Sequence, residues 1–500
     1  MAFDSYKYLI FLPLVFGIFY FSPDRFRWQI LLLASLLFYA FVQAPYLILV
    51  LLAVIAVTYF CGILIEKSKV PSRRRLLFWA GILANVLILG YLKYVPFLVD
   101  NLNLLFRFLS LDISLAQRPG LVFVGVSFYV FQAISYLADV YLETAKAERH
   151  PGYFAVYIGF FPKLLLGPIE RCGDLIHQFR KKYEFNYDNM RVGLLMCGWG
   201  LFKKLVIADQ LRIYIDSVYG NVYACTGPLL IIATYFYAIQ IYADFSGYTD
   251  IAIGSAKIFN INLTRNFNAP YLATSIADFW RRWHVTFYRW LLDYIFRPLQ
   301  MEFRTMRNWG TLLALFITLL VSGIWHGAEW HFIAWGILFG LYLGAAVFYK
   351  PLQKKIYLKL GLEKTGIQKI WQTLVTFNMV CLAWIFFRAE SCKEAFYVIT
   401  HLHTGVRQLL TGAMSNITMF HNLKHLLLPI TLNDPVMFLG YLAAAAIIVF
   451  EHVICRKYGD FSGWILGKSK LFRWLAYITL VLAIVNFGKT SEVPFVYFSF

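Results

Sequence analysis

Between residues 309 and 325 the chain carries no charged side chain, and that length falls within the roughly 17–25 residues a helix needs to cross about 30 Å of hydrocarbon. The pattern recurs: roughly ten apolar stretches of about that length are separated by short loops, and those loops hold the lysines and arginines. The 500 residues are 60% hydrophobic, 19% aromatic and only 15% charged, with a mean hydropathy of +0.62, far from an ordinary soluble domain. The expected fold is an all-α polytopic membrane protein with further re-entrant and interfacial helices.

A net charge of +19 raises nucleic acid as a partner, but the cations lie between apolar runs and form no continuous basic face. They read as loops of the positive-inside kind, so membrane lipid is the expected partner and nucleic acid is not. The first apolar segment, 9–21, is followed directly by others and lacks a small-residue cleavage site, so no signal peptide is expected. The seven cysteines have neither CxxC nor zinc spacing. His401/His403 and His421/His425 have metal-like spacings without supporting carboxylates or thiols, so no metal is expected.

Loop charge also sets the topology. Arg25 and Arg27 precede, and Lys67, Lys69, Arg73, Arg74 and Arg75 follow, two segments (28–43 and 45–63) joined at Gln43-Ala44-Pro45. Both basic loops are then cytoplasmic and the N-terminus outside. A span over 76–92 leads out, a polar stretch runs to Gly120, and a segment through Tyr136 returns to Lys146 and Arg149. Residues 153–167 have basic flanks on both sides and breaks at Pro162 and Pro168, which marks a re-entrant or interfacial element. Residues 193–201 are too short to span. Beyond a span over 228–243 comes a basic, aromatic, cytoplasmic segment whose tryptophans suit the headgroup region. The 309–325 helix crosses outward, 332–349 returns, and 370–387 leads out to an external stretch, 388–433. Two last spans, 435–452 and 472–488, put the C-terminus outside as well.

Three constellations could carry chemistry. His326, in Ser322-Gly323-Ile324-Trp325-His326-Gly327, ends the charge-free helix; titratable groups at membrane depth are costly and are candidates for function. Burial disfavours imidazolium, so His326 suits a general base; a hydrogen bond between helices is the purely structural alternative. Asp244, Ser246 and Asp250, in Tyr242-Ala243-Asp244-Phe245-Ser246-Gly247-Tyr248-Thr249-Asp250, would wall a reaction chamber or serve as ion-paired scaffold, with Arg265, Arg281 or Arg282 as partners. Trp280-Arg281-Arg282-Trp283-His284 offers an arginine fork for a phosphorylated carrier or an ordinary positive-inside anchor, and His284 is a second candidate imidazole.

These segments resemble the membrane-bound O-acyltransferase family, in particular its alginate O-acetylation branch. The resemblance is carried by Gly125-Val126-Ser127-Phe128-Tyr129 with Asp139-Val140-Tyr141, Phe160-Phe161-Pro162-Lys163 through Gly167-Pro168-Ile169, the Asp244 and His284 segments, Gly323-Ile324-Trp325-His326-Gly327, and Trp384-Ile385-Phe386-Phe387-Arg388 with the aromatic C-terminus. One departure is Arg297-Pro298-Leu299-Gln300-Met301, where relatives place a Gly-Gly-Asn-Arg turn.

The resemblance implies one membrane domain over 1–500, with N-terminal helices (1–118), a motif-rich catalytic core (119–350) and C-terminal helices with an aromatic tail (351–500), arranged around a central funnel. It implies His326 as the family's catalytic histidine and His284 as a second one. No bound cofactor is expected; the co-substrate is an acyl thioester, most simply acetyl-CoA, or a phosphopantetheinyl carrier protein. The donor would dock at Lys203, Lys204, Arg281 and Arg282 near Trp325, and the acyl group, most simply acetyl, would reach an extracytoplasmic polysaccharide. Tyr497 would be an acyl relay to an external SGNH-type partner, or the interfacial tyrosine of a hydrophobic plug; the protein would lie in the plasma or inner membrane of a bacterium. D-alanyl transfer to teichoic acid, and a proton-coupled transporter or flippase, are the alternatives.

Overall fold

The computed structural model describes residues 1–41, 45–116, 124–361, 365–405, 435–489 and 495. The described residues form helices and turns, and eight of the helices are long and apolar enough to cross a membrane. The Gln43-Ala44 junction, residues 117–123, residues 406–434 of the external stretch with His421 and His425, and Tyr497 lie outside the described residues.

The eight include Tyr46–Lys67, Pro71–Lys93, Gly366–Arg388 and Lys470–Phe487, close to where the apolar runs put them. Three shorter helices fall outside these eight for local reasons. Tyr6–Phe21 and Val126–Tyr141 are 16 residues each, and Asp24–Ala40 has 17, with Asp24, Arg25 and Arg27 in its first turns. The expected 228–243 span does not stop there: one helix of 32 residues, Gly227–Ile258, runs on through Asp244, Ser246 and Asp250.

The chain folds into two compact units, one of residues 1–197 and 248–265, the other of 198–247 and 266–500. In the first, Val126–Tyr141 is buried almost all round. The 153–167 region is a nine-residue helix, Pro151–Gly159, followed by buried turns. Non-helical backbone away from water needs internal partners; Ser35 Oγ accepts from Phe161 N at 3.0 Å, and the Lys163 carbonyl accepts from Gly167 N at 3.2 Å. Buried Lys163 donates to Gln132 Oε1, and Glu170 accepts from Thr264 N at 2.5 Å and Thr264 Oγ1 at 3.0 Å.

Of the described candidates, His326, His284, Trp325, Arg281, Arg282, Lys203, Lys204, Asp244 and Ser246 fall in the second unit, and Asp250, half-buried, in the first. Its frame is the pair Arg307–His326 and Trp330–Lys359. Three intervening residues force them antiparallel, and two glycines set their separation. A Cβ on Gly323 would stand 2.5 Å from the Phe332 carbonyl oxygen, and one on Gly336 2.5 Å from the Leu319 carbonyl oxygen. Such small-residue contacts are how membrane helices approach closely. One turn beyond Gly323 is His326, and beside Gly336 is Trp335.

Candidate active site

His326 is the last residue of its helix and is 5% exposed. Four rings from four directions in the chain surround it. Trp325 lies 4.6 Å away between centroids, Trp335 of the next helix 4.8 Å, Phe387 of Gly366–Arg388 5.1 Å, and Phe287 of Val285–Leu291 6.0 Å. Apolar walls of this kind exclude water and strengthen whatever electrostatic contacts form within.

The second histidine arrives by a different route. Ser275 caps the short helix Ile276–Trp280, accepting from Asp278 N at 3.1 Å while Asp278 Oδ2 accepts from Thr274 N at 3.2 Å, a pairing close to a capping box. The chain then turns at His284, which has φ +43°, a left-handed conformation rare for a side chain with a Cβ. Asn266 holds the turn: its Oδ1 accepts from Thr286 N at 3.2 Å and Thr286 Oγ1 at 2.6 Å and stands 3.4 Å from His284 Nδ1, while its carbonyl accepts from Val285 N at 2.9 Å. A sparsely populated backbone state persists where its surroundings over-determine it in this way.

His284 is 1% exposed, and burial pushes its pKa down to about 3, which favours the neutral imidazole. Its ring packs 4.8 Å from Phe245, 5.1 Å from Phe287 and 6.3 Å from Trp325. Phe287 and Trp325 therefore touch both histidines. The indole N–H groups of Trp280, Trp335 and Trp384 are buried and make no hydrogen bond to any described residue; Trp335 is the one directly against His326.

The remaining candidates are placed differently from expectation. Lys203 and Lys204 do not form a basic docking face; each is 1% exposed. They lie in a π-helical stretch, Lys203–Ala208, which follows the helix Tyr187–Phe202. Lys203 Nζ donates to Ser246 Oγ at 2.9 Å and to Glu451 Oε1 at 3.1 Å, and Glu451 also accepts from Trp199 Nε1 at 2.9 Å and Tyr242 OH at 3.3 Å. Lys204 Nζ donates to Asp209 Oδ1 and Asp244 Oδ1, both at 2.9 Å. Asp244 is thus ion-paired with Lys204, where the sequence suggested an arginine. Burial works against the Lys204 charge, but the two carboxylates outweigh it and hold its pKa above the ordinary lysine value.

The two arginines are held differently. Arg282 Nε is paired with Asp278 Oδ1 at 3.0 Å, whereas Arg281 is exposed. Trp280 and Trp283, expected at the headgroup level, are buried, and Trp283 packs 5.1 Å from Trp384.

A buried pair of histidines sharing aromatic walls, carried on a polytopic helical fold, marks a membrane protein with a candidate active site. The chain belongs to the membrane-bound O-acyltransferase family, whose model matches residues 98–387, and it is an O-acyltransferase. It is 35% identical to the peptidoglycan O-acetyltransferase of Helicobacter pylori over 74% of this chain and 72% of that protein. It is 34% identical to the probable alginate O-acetylase AlgI of Pseudomonas aeruginosa over 84% and 78%. It is 26% identical to the teichoic acid D-alanyltransferase of Bacillus subtilis over 54% and 69%. The match spans His284, His326, Trp335, Trp384 and Phe387, and stops short of Glu451 and the C-terminal tail.

Proposed function

We propose that this enzyme transfers an acetyl group from a cytoplasmic thioester, acetyl-CoA, to a hydroxyl of an extracytoplasmic polysaccharide, with His326 as general base. The observation that carries the reading is the aromatic box in which His326 and His284 share Trp325 and Phe287. The acceptor oxygen attacks the thioester carbonyl as His326 takes its proton. The tetrahedral intermediate collapses with formation of the ester and cleavage of the carbon–sulfur bond, and the proton passes to the departing thiolate. The buried N–H of Trp335 is a donor available to the carbonyl oxygen as negative charge develops there. His284, neutral and held by Asn266, is the second proton-exchanging group.

In this reading the basic loops face the cytoplasm, both termini lie outside, and exposed Arg281 contacts the donor's phosphates. Tyr497 accepts the acetyl group first and passes it to an external SGNH-type transferase, which acylates the polymer. The relatives named for peptidoglycan and alginate acetylation support the acetyl group and a surface polysaccharide.

The test is His326→Ala in membranes supplied with radiolabelled acetyl-CoA. Loss of polymer labelling with normal insertion supports the base, and retained labelling removes it. The D-alanyltransferase relatives favour a second reading, D-alanyl transfer from a carrier protein. Transfer that proceeds from an aminoacylated carrier and not from acetyl-CoA selects it.

A further inference from the structure

The buried lysines have a neighbour that the transfer chemistry does not use. Lys204 Nζ lies 4.5 Å from the centroid of the Phe495 ring, and Phe495 is 1% exposed, although it belongs to a tail that composition alone would leave at the outer interface. The chain leading to it is fastened beside the same lysine. Lys489 N donates to the Leu205 carbonyl at 3.2 Å, and Gln210 Nε2 donates to the Phe487 carbonyl at 2.8 Å. The π-helical stretch is thus the anchor for the end of the last membrane helix.

The chemistry of the contact is specific. A cation over a ring face is attracted by the ring's quadrupole, most strongly where water is absent. Lys204 is held in place by Asp209 and Asp244, so the ammonium is a fixed point. Asp244 is followed in the chain by Phe245, whose ring packs on His284 at 4.8 Å. One turn of one helix therefore links the cation under Phe495 to the histidine box.

We propose that Lys204 is a positioning residue that clamps Phe495 through the face of its ring, and that acyl transfer depends on this clamp. The proposal rests on the reading that the C-terminal segment, with Tyr497 two residues further on, takes part in transfer. It differs from that reading in naming a contact whose strength follows the electron density of one ring.

The experiment replaces Phe495 in the full-length protein with phenylalanines bearing one, two and three ring fluorines, which keep the ring's shape while draining its negative face. Acetylation by membranes fed acetyl-CoA is expected to fall stepwise, on the order of tenfold across the series, with protein level and melting temperature unchanged. Equal rates across the series, with Phe495→Ala inactive, would show an apolar plug and overturn the clamp. Tyr497→Phe is measured in parallel. If it transfers normally while the fluorine series still declines, the relay fails and the clamp stands; if it is inactive while the series is flat, the relay stands and the clamp fails. If both are without effect, both are overturned.

Discussion

The histidine box and the lysine cluster lie in one unit and are served by one helix, yet they meet the cost of burial in opposite ways. Around His326 and His284 the walls are rings, and burial disfavours a charge on His284. Around Lys203 and Lys204 the walls are ion pairs, with three carboxylates facing the two amines. Consecutive residues of Gly227–Ile258 serve the two regions, Asp244 toward Lys204 and Phe245 toward His284. A proton-transfer site needs groups that can change charge, whereas a frame needs charges that cannot. The molecule separates the two by a single residue step.

The largest effect that sharpens this contrast is on catalysis. His326→Ala should lower transfer on the order of 10²–10⁴-fold while leaving the melting temperature of the detergent-solubilised protein within a few degrees; a large fall in melting temperature would make His326 part of the frame instead. Lys203→Met should do the reverse. It leaves Glu451 buried without its ammonium, a loss of about 3–5 kcal/mol read as a lower melting temperature, and the pair Lys203→Met with Glu451→Gln should recover most of it. No recovery would mean the cluster is not held by charge balance.

A smaller effect separates the regions by pH. His284 has an ordinary value of 6.5 and is lowered by burial to about 3 in the fold, so the unfolded chain binds the proton more readily. Its contribution is fully present above about pH 6.5 and is lost progressively as pH falls toward 3. Melting temperature measured from pH 7 to pH 4 should therefore fall more for the parent than for His284→Asn; parallel curves would refute the assignment. The smallest change is expected at exposed Arg281, where Arg281→Ala should raise the KM for acetyl-CoA severalfold, by the weak contribution of a solvent-exposed charge, and leave kcat alone. A change in kcat would place Arg281 nearer the chemistry.

Much of the frame was legible before the structure. Charge-free runs locate most of the long helices because a membrane span must be continuous, and His326 stood out because an imidazole ends such a run. Lys203 and Lys204 follow a short apolar stretch, where lysines ordinarily face solvent, and of their partners only Asp209 is near in the chain, Ser246, Asp244 and Glu451 being remote. Glu451 and His452 obey the same rule that singled out His326, a titratable group inside an apolar run, and were the available signal for the cluster. Trp335 and Phe287 carried no such signal, because 19% of the chain is aromatic and only folding selects two rings out of that background; Phe387 stood in a segment that carries the family resemblance, but its place against His326 exists only in the fold. Asn266 escaped notice for a similar reason, since its role exists only through the bend at His284.

The π-helical stretch from Lys203 to Ala208 has a consequence for how this protein can change over evolutionary time. A widened turn of this kind places one more residue in the ladder than an α-helix would. Deleting one residue there would close the turn to a regular α-helical one and leave the segments on either side in register, so that Lys204 and Asp209 would still stand one turn apart. The stretch can therefore lose a residue without displacing the partners around it, whereas the two lysines themselves are tied to their carboxylates, so its residue count is freer than the identity of its first two residues.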